Sequence, residues 1–160
     1  MADTRAATLA EQFEKALGEL IQAVEEHPDD QWHSVCGDEG WTVAATAHHV
    51  GAQWPLEKEL LDAAVGLASM PGYTWDDVNA RNEQHGQEFS AASKAEVLAI
   101  LRDGGPTMAS FVRGLSDAQL DSPVAFPLAN GAPVTPQQLI EGGVLVGHVV
   151  AHLKSIRAVV

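Results

Sequence analysis

Four stretches of this chain repeat apolar residues at helical spacing, and that periodicity constrains the fold more than any other feature. The first, about residues 4–26, carries Leu9, Phe13, Leu17, Leu20 and Val24 on one face, with Glu11, Glu14, Lys15 and Glu19 on the others. His27-Pro28-Asp29-Asp30 ends it, because the residue before a proline is pushed out of the α region. After a loop through residue 40, a second pattern opens at Thr42, a fitting N-cap, with Val43, Ala47, Val50 and Trp54 on one stripe. It runs on to Met70, bent at Pro55. A connection over residues 71–92 comes next, holding a short helix around Trp75 to Glu88. The third pattern opens with the capping box Ser93-Lys94-Ala95-Glu96 and continues through Val97, Ile100, Leu101, Met108, Phe111 and Leu115. Gly104-Gly105-Pro106 in its middle predicts a kink or a break. Residues 121–134 are rich in turn formers and read as a short hairpin or an irregular loop. The fourth helix opens at Thr135-Pro136-Gln137-Gln138, with Thr as N-cap and Pro at the first helical position, and runs to the C-terminus.

Four helices with a long crossover between the second and third predict an all-α four-helix bundle. The 160 residues, 46% of them hydrophobic, suit a single domain over 1–160 that buries a core without staples, and no internal repeat divides it. A formal net charge of −13 argues against nucleic acid or an anionic membrane as partner, since phosphate surfaces would repel it. The single cysteine, Cys36, excludes an internal disulfide and reads as a small buried hydrophobe. The opening residues hold no signal-peptide or membrane-spanning stretch, so the expected location is cytoplasmic.

The chemistry is concentrated in the histidines. Gly147-His148-Val149-Val150-Ala151-His152 places two imidazoles one turn apart on one helix face, the spacing that two metal ligands need. Their stripe, through Leu145, Ile156 and Val159, is otherwise apolar and should face the core. Burying two imidazoles without partners costs roughly 1–3 kcal/mol each. A shared metal satisfies both; the alternative is a carbonyl or carboxylate for each across the bundle. No cysteine lies at ligand spacing from a histidine, so a closed structural zinc site does not fit, whereas three histidines with open positions do. The third comes from His48-His49 on the second helix. Adjacent side chains point about 100° apart, so only one can join the same ion, and periodicity leaves both open.

Trp41-Thr42-Val43, with His49 eight positions after the Trp, and then the H-x-x-x-H pair of the last helix, resembles the DinB-like superfamily, which includes the N-terminal domains of mycothiol-dependent maleylpyruvate isomerases. Trp75-Asp76-Asp77-Val78-Asn79-Ala80-Arg81-Asn82 resembles the family's Asn-containing crossover, and the likeness spans nearly the whole chain. The resemblance implies a divalent metal held by His49, His148 and His152, its Trp-to-His spacing selecting His49 over His48. The mycothiol-dependent isomerases often have a carboxylate where this sequence has His148, which favours the more general three-histidine type.

Three neutral imidazoles leave a divalent ion its full charge, enough to lower the pKa of a bound water or thiol. The implied function is therefore a metal-dependent enzyme that activates a low-molecular-weight thiol, such as mycothiol or bacillithiol, or water, for transfer, conjugation or isomerisation of a small-molecule substrate. A non-catalytic metal or small-molecule binding module of the stress-response kind and a metal-dependent hydrolase are the alternatives. Zinc, nickel and iron all suit an all-imidazole site. Arg81 and His85 in the crossover are candidates to contact the thiol or an acidic substrate. Glu141 is a candidate base, although a solvated role in the first helical turns fits it better. Gly142, Gly143 and Gly147 are expected to give close helix approach or room beside His148. The four tryptophans read as core, and Lys154 and Arg157 as surface charges near a helix C-terminus. Such bundles often pair through a helix face, so a homodimer is expected, although no heptad seam marks it.

Overall fold

The computed structural model describes residues 4–159. Helix α1 (Arg5–Glu26) starts at Thr4, whose side chain accepts a hydrogen bond from the Ala7 N–H, and buries Leu9, Phe13, Leu17, Leu20 and Val24 as the periodicity requires. Thr42 caps α2 (Val43–Ala52) in the same way. Helix α3 (Trp54–Ala64) begins after one residue. The interruption is slight: the Gln53 N–H still donates to the His49 carbonyl at 3.0 Å, and the Glu57 N–H to that of Gln53 at 2.9 Å. Pro55 falls in the first turn of α3, where its missing N–H costs nothing. The helix stops at Ala64 rather than Met70, since Gly66 takes φ +84° and turns the chain away.

The crossover contains α4 (Trp75–Glu88), opened by a Thr74–Asp77 capping box. Helix α5 (Lys94–Arg113) begins at the expected Ser93–Glu96 box and runs unbroken through Gly104-Gly105-Pro106. Packing of this stretch on Leu17 and Trp54 outweighs the one hydrogen bond that Pro106 removes. A short α6 (Asp117–Asp121) leads into an antiparallel hairpin, β1 (Val124–Phe126) and β2 (Ala132–Val134), with Val124 opposite Val134.

The last helix departs from expectation. It divides into α7 (Pro136–Glu141) and α8 (Val146–Arg157), separated by an irregular turn over 142–145. There the Gly147 N–H reaches back five residues to the Gly142 carbonyl at 2.8 Å. A Cβ on Gly147 would sit 2.7 Å from that carbonyl carbon and oxygen, so glycine is what lets the turn close. The stretch from Pro136 to Arg157 is long and apolar enough to cross a membrane by composition, yet here it is broken and packs within the bundle.

In the bundle α1 packs on α5 and α8, and α2 packs on the same two helices, which places α1 and α2 on opposite corners. Phe13, Leu20, Leu61, Leu101, Ile140 and Ile156 are fully buried between them. The α2–α8 contact matters most for function, because both helices carry histidines on the face they share.

Candidate metal centre

His49 comes from α2, in which every residue from Val43 to Gly51 is buried. His148 and His152 come from α8, one turn apart. The three rings are mutually edge-on: centroids lie 5.0 Å apart for His49–His148, 5.1 Å for His49–His152 and 4.6 Å for His148–His152, with interplanar angles of 81°, 83° and 81°. One ligand nitrogen from each lies within 4.8 Å of the others. The Nε2 atoms of His49 and His148 are 3.1 Å apart. Two nitrogens at 2.0–2.1 Å from one tetrahedral ion stand about 3.3 Å apart, so this spacing fits a common ion.

What faces the other ring nitrogens decides between a metal and separate protein partners. His152 Nδ1 is 2.8 Å from Glu39 Oε1 and hydrogen-bonded to it. His148 Nδ1 is 2.6 Å from Glu57 Oε1, although the pair is poorly aligned and Nδ1 has no well-formed hydrogen bond. His49 Nδ1 faces the Gln53 side-chain amide at 3.4 Å. Each carboxylate thus engages the Nδ1 side of its ring, while the Nε2 atoms of His49 and His148 face one another. That is how metal-ligating histidines are held, their second nitrogen facing a carboxylate, carbonyl or water that fixes the tautomer; His148 and His152 have carboxylates there, whereas His49 Nδ1 faces the Gln53 amide nitrogen. The donor set fits a divalent metal.

Neither carboxylate is among the residues that the sequence singles out. Glu57 comes eight residues after His49 and four after Gln53, so all three share one helical face, and that spacing is the available signal. Glu39 has none: it is presented by a tight turn in which the Cys36 N–H donates to the Trp41 carbonyl at 2.7 Å, the Gly40 N–H to Cys36 at 3.0 Å, and Gly40 takes φ +72°.

Burial governs the protonation of this cluster. It pushes His148 down to about 4. His49 is pushed down to about 2, by burial first and then by the neighbouring His148, His152, His85 and His48. Both are neutral, ligand-ready imidazoles at pH 7. Burial drives the Glu57 carboxyl well above its ordinary range, with His152 opposing weakly. Burial also pushes Glu39 upward, but hydrogen bonds from His152 and Ser155 outweigh it and leave this carboxyl below its usual value.

The other candidates fall elsewhere. His48 points away from the triad: its Nδ1 lies 2.8 Å from His85 Nε2 and its ring stacks on Phe89 at 4.0 Å. His85 is thereby occupied, its ring edge-on to His49 at 5.5 Å, and it does not line the cavity above the histidines. Neither does Arg81, which is exposed and sits over the Tyr73 ring. Both candidate ligand contacts, Arg81 and His85, thus lie outside the cavity wall. Glu141 is exposed and accepts from Gln137, away from the site. Cys36 is buried, with its thiol pushed up chiefly by burial, and lies outside the cavity. Gly147 serves the chain's own turn rather than an approach between helices, while Gly143 borders the cavity. Two tryptophans expected in the core, Trp41 and Trp75, line the cavity instead, and Trp75 is 56% exposed.

That cavity, about 350 Å³, has the three histidines in its wall and is otherwise mostly apolar. Helix α4 and the hairpin border it, tied together where the Trp75 indole N–H donates to the Leu128 carbonyl at 2.9 Å.

Comparison with known proteins agrees with this architecture. The family model described as the DinB superfamily matches residues 12–156. No curated protein matches the chain in sequence. Among solved structures, YfiT from Bacillus subtilis, described as "a probable metal-dependent hydrolase with an unusual four-helix bundle topology", superposes with a TM-score of 0.75 at 21% identity, over 99% of this chain and 87% of its own. A Streptococcus pneumoniae protein matches with a TM-score of 0.70 at 16% identity, over 99% and 91% of the two chains. A protein of Clostridium difficile 630 gives 0.69 at 16%, over 99% and 96%. At these identities the likeness is one of fold.

Proposed function

The chain belongs to the DinB superfamily, and from that premise we propose that it is a metal-dependent enzyme in which His49, His148 and His152 hold one divalent ion at the wall of an apolar cavity. The observation that carries this reading is the clustering of one ring nitrogen from each histidine within 4.8 Å, with the Nε2 atoms of His49 and His148 facing one another and the Nδ1 atoms of His148 and His152 facing the buried carboxylates Glu57 and Glu39. When bound, the ion would supply Lewis acidity and lower the pKa of a water or a low-molecular-weight thiol to near neutrality. The description of YfiT favours water, hence hydrolysis; the wider superfamily includes thiol-dependent isomerases.

The chain's own residues have separable roles. Glu39 fixes the His152 ring. Glu57 stands beside His148 and also borders the cavity, with Oε2 buried and unpartnered. It is the residue placed to accept a proton from the nucleophile at Oε2 while Oε1 steadies His148. Trp41 and Trp75 form part of the cavity wall on the substrate side.

Two measurements test this reading. Elemental analysis of untagged protein should find close to one divalent ion per chain. Metal-loaded protein is then incubated with small esters and amides, and with thiols plus electrophiles. Turnover lost on chelation supports the enzyme, turnover without added thiol identifies the hydrolase, and full occupancy without turnover favours a binding module. Absence of stoichiometric metal after reconstitution refutes the site.

A further inference from the structure

The cavity differs from most metalloenzyme pockets in what it lacks. Among the described residues, no lysine or arginine lines it. Its walls are apolar, with Leu56, Leu60, Val78, Phe126, Leu128 and Leu139 around the two tryptophans. Apart from the histidines, Glu57 and the indole N–H groups of Trp41 and Trp75, the polar side chains are three neutral amides, Gln53, Asn82 and Gln138, and the first two are hydrogen-bonded to each other, Nε2 to Oδ1. The crossover's one arginine, Arg81, is held outside over Tyr73. The chain as a whole carries a net charge of −13. An anionic group on a ligand, buried here away from the histidines, would find no counter-ion and would also meet the Glu57 carboxyl. Burying an unpaired charge is far costlier than burying a neutral group of the same size.

Resting on the metal-enzyme reading, we infer that this cavity selects small, uncharged, largely apolar substrates bearing one amide-like or carbonyl group for the Gln53–Asn82 pair, and rejects ligands with a second, anionic group. At about 350 Å³ the cavity stands near the lower end of ligand-pocket sizes, so it encloses a compact molecule or only one end of a longer one. A multiply acidic thiol such as bacillithiol is a poor fit, and any thiol cosubstrate would present a neutral portion to these walls.

The test uses two pairs of probes that differ only at the end remote from the metal-binding or amide group. On zinc-loaded protein, 4-methylbenzohydroxamate and 4-carboxybenzohydroxamate are compared by calorimetry. The methyl compound should bind at least about tenfold tighter. On zinc-free protein, 4-methylbenzamide and 4-carboxybenzamide are compared by NMR shifts of the Gln53 and Asn82 side-chain amides, and the same order should hold. Leu128→Arg, which leaves every histidine in place, should raise affinity for the carboxylated probes. Equal or reversed order in the wild-type protein overturns the inference. If zinc does not bind at all, the metal reading fails alone, and the benzamide pair still decides the substrate class.

Discussion

Glu57→Gln separates the two things that a buried carboxylate can do here. Glu57 is 5% exposed, its Oε2 has no partner, and its Oε1 lies 2.6 Å from His148 Nδ1. In metal-free protein it is a liability. Its folded pKa is raised well above the 4.5 of the free side chain, so the folded state binds more protons than the unfolded one as pH rises above 4.5. Stability is then present below that value and lost as pH climbs towards the folded pKa. Each pH unit costs about 1.4 kcal/mol, so the loss at pH 7 is at most about 3.5 kcal/mol. Glutamine keeps the volume and never ionises, so the metal-free variant should be more stable at pH 7, by up to about that amount. With metal present the sign reverses. Removing the carboxylate behind a ligating histidine typically weakens metal binding by about 10–100-fold. Urea unfolding of chelator-treated protein gives the first quantity, and a competition titration with a zinc chromophore gives the second. A variant that is less stable without metal, yet binds zinc as the wild type does, would refute this account and leave Glu57 a packing residue.

Four further outcomes rest on the same geometry. His148→Ala should abolish stoichiometric metal binding while the far-ultraviolet circular dichroism stays helical; retained metal would place the ion elsewhere. Glu39→Gln should weaken zinc by about tenfold through loss of the anchor on His152, with the chelated protein little changed, as competition titration and thermal melts can show. Gly147→Ala puts a Cβ 2.7 Å from the Gly142 backbone and should cost about 1–3 kcal/mol in urea unfolding and lower zinc affinity too; a neutral effect on both would mean that the turn is not what sets His148. Metal-free Glu57→Gln protein, free of the opposing contribution of that carboxyl, should lose stability as pH falls. The folded values of His148 and His85 are about 4 and that of His49 about 2, so below 6.5 the unfolded state takes up more protons, costing on the order of 2 kcal/mol for His148 alone between pH 6.5 and 5; a urea midpoint that rises over this interval would contradict the burial of these rings.

The parts of the fold that local chemistry dictates are legible in the sequence: the Thr42 cap, the Ser93–Glu96 box, the crossover helix Trp75–Glu88 and the bundle itself. Where packing overrides propensity, they are not. Gly104-Gly105-Pro106 reads as a break but stays helical against α1 and α3, while the apolar run before His148 reads as continuous but turns at residues 142–145. The grouping of His49, His148 and His152 can be anticipated, since helix periodicity puts the pair on one face and the family pattern picks His49. The residues that set the ring orientations cannot. Glu39 arrives from a loop 113 residues away in sequence from its histidine, and charged residues in loops carry no periodic signal.

Charge accounting connects the site to the acidity of the chain. An acidic protein gains nothing by sinking Glu39 and Glu57 beside His49 and His148, imidazoles that burial keeps neutral. On its own, that cluster must either hold two anions in a poorly solvated space or protonate one of them. The two carboxyls resolve this unequally, Glu39 ionised through its bond to His152 and Glu57 driven towards its neutral form. One divalent cation balances two carboxylates, so a loaded site would be close to neutral, and Glu57 would give up its proton as the ion enters. Metal affinity should therefore fall with falling pH by way of Glu57 as well as the imidazoles. The same neutrality governs which ligands can join the metal in the cavity. Once the ion's charge is matched from the Nδ1 side of the rings, little is left over for an anionic ligand, and the apolar walls offer no other cation. Selectivity for uncharged molecules would then follow from how the histidines are anchored as well as from the walls.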